Sequence, residues 1–407
     1  MPFVIYATPN FTENAVRFIA ILAGMADVQL GLITEEPLHL LDERIQSMLC
    51  IHRKVNNPLD SNELAGAAAE MQAEMGMPVH RLMGAVEIMQ VPLALAREAL
   101  GIEGMGYEVA LNFRDKARMK ALFREAGIPC ARYAAVEDKA SAYRFVATCG
   151  FPVVAKPPAG MGSLSTYRID TPEMLAWVLE QLPPSKDHAV LLEEFITGTE
   201  HSFDTFSLGG RAVFSSVSHY FPNPIAVMEE PWIQWQVVVP REVDTLAYDD
   251  IREVGQRALA VLGMETGLSH LEWFRRPDGS IAVSEVAARP PGAQITTLIS
   301  RASDFDALEA WARMVIFGAF VVPERKYAVG AAYLRGMGTG LVRAVHGLEQ
   351  VEQQWGHLIT DAKIPVVGSP AGSNYEGEGF IIIRHPDTDL VKTALRAIVS
   401  TVRVELQ

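Results

Sequence analysis

Strand-like and helix-like segments alternate through the first hundred residues, and that alternation narrows the fold more than any other feature of the chain. Short apolar runs at Phe3–Ala7, Val28–Ile33, Ile51–Val55 and Val79–Leu82 read as buried strands. Glu13–Met25, Leu38–Met48, Ser61–Met75 and Glu87–Leu100 read as the helices that follow them. Thr12 stands where a helix N-cap belongs. Strands separated by helices imply a parallel sheet with helical crossovers. No G-x-G-x-x-G follows the first strand, so a dinucleotide site is not expected there.

Beyond this region the pattern changes. Gly101–Gly106 reads as a linker, and Asp115–Ala126 as a helix stopped by Gly127-Ile128-Pro129. Pro152–Lys156 is a short apolar strand that runs into the breaker-rich loop Pro157–Ser163. Val190–Glu194 is another strand. Phe203–Leu208 and Ala212–His219 flank Gly209-Gly210 as a hairpin, and Asp250–Leu262 is a helix. His270–Phe274 and Ile281–Glu285 flank Pro277-Asp278-Gly279 as a second hairpin. After Val322-Pro323, short strands near Ala328–Leu334 and Phe380–Ile383 suggest a small C-terminal α+β lobe. The reading is thus α/β with α+β lobes, divided at 1–112, 113–322 and 323–407, with a glycine-loop subdomain at about 130–195. Its 407 residues suit several lobes, since domains typically hold ~100–200 residues.

Charge and cysteine usage exclude some partners. A formal net charge of -14 gives no basic field for nucleic acid or an acidic membrane, so an anionic substrate would need local cations or a metal. Cys50, Cys130 and Cys149 form neither a metal spacing nor an even disulfide framework, and the N-terminus lacks a signal-peptide pattern. The longest apolar run, near Val315–Val322, is too short to span a bilayer. A cytoplasmic protein is expected.

Several residues could carry chemistry. Lys156 closes a strand before a loop in which Gly160 and Gly162 allow close backbone approach to a phosphate. The alternative is a surface lysine beside an ordinary turn. Glu272 and Glu285 lie on the two strands of the second hairpin, where facing carboxylates would suit Mg2+. Two solvated glutamates are the alternative, and Val283 and Val286 do not alternate cleanly enough to decide. Arg289 offers a fork for a phosphoryl or carboxylate group, or a rim ion pair. His270 shares the strand face of Glu272 by the two-residue period; taken alone, a hydrogen-bonded structural histidine is the commoner case.

Taken together, these pieces resemble the ATP-grasp superfamily. The matching segments, in order, are Asp115–Lys120 with Gly127-Ile128-Pro129, Pro152–Pro157 with its glycine loop, Leu192–Glu200, His270-Leu271-Glu272, and Glu285–Arg289. They cover roughly residues 112–300. The C-terminal Tyr333–Gly336 and Gly338–Val342 runs look most like the L-amino-acid and related carboxylate–amine ligase branch.

The resemblance implies an ATP-grasp fold with an N-terminal pre-ATP-grasp domain, and a ligase that activates a small carboxylate as an acyl phosphate for attack by an amine. It implies that Lys116 and Lys156 hold ATP phosphates, while Gly160, Gly162 and Ser163 fold over them. Glu193 would assist near the adenine, Glu194, Phe195 and Ile196 would form the adenine hinge, and Glu200 would bind the ribose. Glu272 and Glu285 would bind one or two Mg2+ ions, a role Mn2+ can also fill, with Arg289 and His270 at the reacting groups. The partners implied are a small-molecule carboxylate and amine, not nucleic acid or a membrane. One departure is Ala287, where many members carry a metal-binding Asn. The segment Ser218–Gln236 holds Tyr220, Phe221, Pro222, Pro224, Trp232 and Trp235, either as a wall for an apolar substrate or as a packed cap or homodimer contact.

Overall fold

The computed structural model describes residues 1–158, 166–229, 233–372 and 376–407. Gly160, Gly162, Ser163 and Trp232, all singled out from the sequence, lie outside the described residues.

The N-terminal alternation folds into a four-stranded parallel sheet. Its strands are β1 (Phe3–Thr8), β2 (Gln29–Thr34), β3 (Ile51–Lys54) and β4 (Val79–Met83), in the order β3-β2-β1-β4. The crossover helices include α1 (Glu13–Gly24), capped by Thr12, whose hydroxyl accepts from Ala15 N–H. Two further helices are α2 (Ser61–Met75) and α3 (Gln90–Leu100). The helix expected at Leu38–Met48 is instead a 3-10 turn at Leu38–Leu40 and a single α turn at Glu43–Gln46. Pro37, with no N–H, precedes the first turn, and Asp42 caps the second by accepting from Arg44 N–H. A helix missed in the sequence, α4 (Tyr107–Arg114), follows the glycine-rich linker. It leads into α5 (Lys116–Glu125), whose N-cap Asp115 accepts from Ala117 and Arg118 N–H.

A small sheet carries the glycine-loop segment. β5 (Tyr133–Val136), β6 (Val153–Lys156), β7 (Tyr167–Ile169) and β8 (Val190–Glu194) stand in the order β5-β8-β6-β7, all antiparallel. The main platform is an eight-stranded antiparallel sheet. Its strands are β9 (Thr199–Leu208), β10 (Arg211–Phe221), β11 (Trp235–Val239), β12 (Gly267–Arg275), β13 (Ile281–Ala287), β14 (Ala328–Leu334), β15 (Ile359–Lys363) and β16 (Gly379–His385). They are ordered β13-β12-β9-β10-β11-β14-β16-β15. The segments read as a separate C-terminal lobe therefore extend this sheet, because β14 pairs directly with β11 through Tyr333↔Trp235 and its neighbours. A three-stranded sheet of 336–337, 342–346 and 403–406 lies beyond it.

One apolar cluster joins Tyr6 and Phe18 of the N-terminal unit to Tyr220, Trp235, Leu298 and Tyr333 of the platform. Among the described residues, no helix is long and apolar enough to cross a membrane.

Candidate active site

The hairpin of β12 and β13 sets the centre of the site. Glu272 and Glu285 are direct partners in its register. A β-bulge follows: Trp273 pairs with Val283, leaving Ser284 as the extra residue. This explains the broken alternation in the sequence. Val283 and Val286 both point into the buried side, opposite Trp273 and Leu271, while Glu285 faces the cavity.

Two lysines one turn apart on α5 approach this centre from above, as the i, i+4 spacing allows. Lys116 Nζ lies 3.0 Å from Glu285 Oε2. Lys120, fully buried, donates to the Ser284 carbonyl at 3.1 Å and pairs with Glu193 Oε1 at 3.3 Å. Lys156, at the end of β6, reaches the other oxygen of Glu193 at 3.1 Å. The start of α5 is tied to the glycine-loop segment by Lys116 N–H donating to the Pro158 carbonyl at 3.0 Å.

The charges tune one another. Burial opposes the charged form of Lys156, but Glu193 and Glu285 outweigh it and raise its pKa. Burial likewise opposes ionised Glu193 and Glu285, and is overcome by Lys120 and Lys156 at Glu193, and by Lys116 and Lys156 at Glu285. The Glu285 pKa falls to about 2. Glu200 behaves in the opposite way: burial, then the charges of Glu272 and Glu285, push it well above the usual carboxylate range.

His270 sits on the cavity face of β12. Its Nδ1 lies 2.6 Å from Asp204 Oδ1, and its Nε2 3.6 Å from Glu272 Oε1. Burial works against the imidazolium, but Asp204 and then Glu272 prevail and raise the pKa to about 10. Ser202 donates to the second Asp204 oxygen at 2.7 Å.

Arg289 follows β13 and is held by Glu87 of the N-terminal unit. Nε and Nη2 donate to Glu87 Oε2 at 3.1 and 2.8 Å, and Nη1 donates to the Pro290 carbonyl at 3.0 Å. Arg114 meets the other Glu87 oxygen at 3.3 Å.

The hinge segment borders the same space. Glu194 pairs with Arg132 and Arg276, Phe195 lies under the Arg168 guanidinium at 4.5 Å, and Ile196 packs with Ala131, Ala282 and Phe274. Every described site residue inferred from the sequence thus borders one cavity of about 610 Å³. Ala287 borders it too, as do Tyr220 and Trp235 from the aromatic segment; Phe221 is exposed. Sequence reasoning missed Lys120, Glu87 and Asp204. For Lys120 the signal was present, four residues after Lys116.

The donor set suits a divalent cation shared with phosphates. Burial, and then the neighbouring charges of Glu272 and Glu285, suppress ionisation of Glu200. Among the described residues, no three His, Cys, Asp or Glu side chains converge to hold a metal unaided. Two facing carboxylates completed by phosphate oxygens match the coordination habit of Mg2+.

Residues 121–305 match the ATP-grasp domain model. The chain carries an ATP-grasp domain on an ATP-grasp fold. It is similar to the L-arginine-specific L-amino acid ligase of Bacillus subtilis, 29% identical over 210 residues, which is 50% of each chain. The match thus spans about half the length of that relative. A formate-dependent phosphoribosylglycinamide formyltransferase from Paraburkholderia xenovorans is 27% identical over 327 residues, 75% of this chain and 76% of its own. In structure, the chain resembles the L-amino acid ligase of Bacillus licheniformis with a TM-score of 0.77 and 16% identity, over 100% of this chain and 99% of that one.

Proposed function

We propose that this chain is an ATP-dependent carboxylate–amine ligase that forms an amide or peptide bond through an acyl phosphate. The observation that carries the reading is the convergence of Lys116 and Lys156 on the facing pair Glu272 and Glu285, in one cavity that Arg289 also lines. A carboxylate oxygen of the substrate attacks the γ-phosphorus of ATP, and ADP leaves. The amine then attacks the acyl carbon and expels orthophosphate, losing a proton. Glu272 and Glu285 would hold Mg2+, which would neutralise phosphate charge. Lys116 and Lys156 add fixed positive charge where the transferring group becomes more anionic. Arg289 has five N–H donors and spends three on Glu87 and Pro290, leaving two for the acyl phosphate. His270, oriented by Asp204, stands beside the metal carboxylate at the reacting groups.

A purine-type reading is favoured by the longer alignment with the formyltransferase. A ribonucleotide substrate needs a further cationic cradle for its phosphate, whereas the cavity's lysines and Arg289 are already placed at the reaction centre. The amino-acid reading therefore takes precedence. The test is product analysis with a panel of amino acids and amines. ADP and orthophosphate are expected in equal amounts with a new amide; stoichiometric AMP sinks the acyl-phosphate mechanism.

A further inference from the structure

The platform sheet changes character across its width, and Glu272, Glu285, Tyr220 and Trp235 of the face concerned line the cavity. On the face of β13 and β12 stand Glu285 and Glu272; on β9, Ser202 and Asp204 follow. The same face of β10 carries Ser218, paired with Ser202, and then Tyr220. On β11 and β14 it carries Trp235 and its register partner Tyr333. Carboxylates thus give way to hydroxyls and then to aromatic rings. Adjacent strands lie about 4.8 Å apart, so Tyr220 on β10 stands about 10 Å from the strand of Glu272, and Trp235 on β11 about 14 Å.

The aromatic end is closed by hydrocarbon from other elements. Phe18 of α1 and Tyr6 of β1 cover it from the N-terminal unit, and Ile295 and Leu308 from the helices after β13. Two polar ring atoms on this side are engaged elsewhere. Trp235 Nε1 donates to the Pro222 carbonyl at 3.0 Å, and the Tyr333 hydroxyl donates to the Ala293 carbonyl. Trp235, which lines the cavity, therefore offers a substrate mainly apolar surface.

Resting on the ligase reading above, we propose that the carboxylate substrate activated here bears a bulky apolar side chain, of the leucine, methionine or phenylalanine kind, which lies against Tyr220, Trp235, Phe18 and Ile295. Its carboxylate stays at the charged end. Glu272 and Tyr220 stand on strands about 10 Å apart that border the same cavity, a span that a side chain of four or more heavy atoms extending from the activated carboxylate would cover. Among the described residues, Tyr220, Trp235, Phe18 and Ile295 themselves carry no charge to offset the water that a charged side chain would lose. A methyl side chain would leave the aromatic end unfilled.

The test isolates the first half-reaction by trapping the acyl phosphate with hydroxylamine. Hydroxamate formation with MgATP is measured for L-leucine, L-methionine and L-phenylalanine against L-alanine, L-glutamate, L-lysine and L-arginine. The apolar group should exceed the charged group by roughly 100-fold in kcat/KM, and Ile295→Phe should narrow that advantage by roughly 10-fold or more. Equal or better use of arginine or glutamate overturns the proposal, as does an Ile295→Phe variant that melts normally with unchanged preference. Hydroxamate from none of these acids, and no ADP release with any amine, counts against the ligase reading. In that event, calorimetric binding of the same amino acids in the presence of MgADP tests the pocket separately: tighter binding of the apolar group supports it, and equal or tighter binding of the charged group overturns it.

Discussion

Glu193→Gln is the sharpest test of how the site holds its charge. The change keeps side-chain size but removes the carboxylate shared by a fully buried lysine, Lys120, and a partly buried one, Lys156. Lys156 Nζ lies 3.1 Å from one oxygen and Lys120 Nζ 3.3 Å from the other. At an effective dielectric of about 20, each contact carries a gross attraction of ~5 kcal/mol. Most of that offsets desolvation. The measurable loss on orphaning one side of a buried pair is about 3–5 kcal/mol. A ceiling of similar size arises independently. A lysine without its partner can shed its proton, and at pH 7 this costs ~4.6 kcal/mol from an ordinary pKa of about 10.4.

Lys120 is the lysine more exposed to this loss, since it is fully buried and its other partner is the Ser284 carbonyl. The expected result is therefore a stability deficit of about 3–5 kcal/mol at pH 7, measured by urea unfolding. If Lys120 is neutral in the folded variant but charged when unfolded, the unfolded state binds one more proton. Stability then rises with pH, and the deficit shrinks by up to ~1.4 kcal/mol per pH unit between pH 7 and 10. The double variant Lys120→Met/Glu193→Gln removes the orphan and should be no less stable than Glu193→Gln alone. A deficit below ~1 kcal/mol, or one independent of pH, refutes the reasoning.

Other outcomes follow from the same geometry. Glu285→Gln should nearly abolish turnover while leaving the melting temperature close to that of the parent; full activity at limiting Mg2+ would remove Glu285 from the metal site. Arg289→Lys keeps the charge but loses the fork held by Glu87, so turnover should fall about 10²–10³-fold with a much smaller rise in the KM for ATP; intact turnover would move Arg289 to a structural role. His201 and His219 lie ring to ring at 4.6 Å, and burial lowers their pKa values to about 3 and about 4. Both stay neutral in the fold but gain protons in the unfolded chain below pH 6.5, so stability should fall as pH drops from 6.5 toward 4, by up to ~1.4 kcal/mol per unit for each histidine. The loss should be smaller in His219→Gln; an unchanged slope in that variant would contradict this assignment.

The sequence was most legible where local chemistry and tertiary packing agree. Val190–Glu194 and Ala328–Leu334 form strands over those very residues, because both are apolar runs buried on the platform or the small sheet. The turn at Pro277-Asp278-Gly279 was enough to place Glu272 and Glu285 on facing strands, but their direct pairing depends on the bulge at Ser284, which shifts the register set at the turn. Leu38–Met48 shows the opposite case. Its apolar spacing is helical, but Pro37 and Asp42 break it into two short turns. At Gly101–Gly106 the glycines conceal a fixed path: Arg97 donates to the Met105 carbonyl from both Nε and Nη2, holding the linker against α3. The membership of β14, β15 and β16 in the platform depends on strand pairing, which a change of local pattern after Val322 cannot reveal.

The site residues that escaped detection share a physical reason. Each acts through a partner far away along the chain. Glu87 reaches Arg289 across 202 positions, Asp204 reaches His270 across 66, and Lys120 reaches the Ser284 carbonyl across 164. In the sequence, Glu87 begins a helical run and Asp204 sits in an apolar strand, where neither looks functional. The fold gives them their meaning by placing a second charge or a ring within 3.5 Å. The bulge at Ser284 is the clearest instance. One extra residue in β13 turns a backbone carbonyl toward Lys120, and the next residue, Glu285, faces Glu272 and Lys116. A chain of net charge -14 can thus hold three lysines at a phosphate-sized site because each is matched to a carboxylate or carbonyl before any ligand arrives. Under the proposed function, phosphates bound there would meet a preorganised field and need not gather cations from a negative surface.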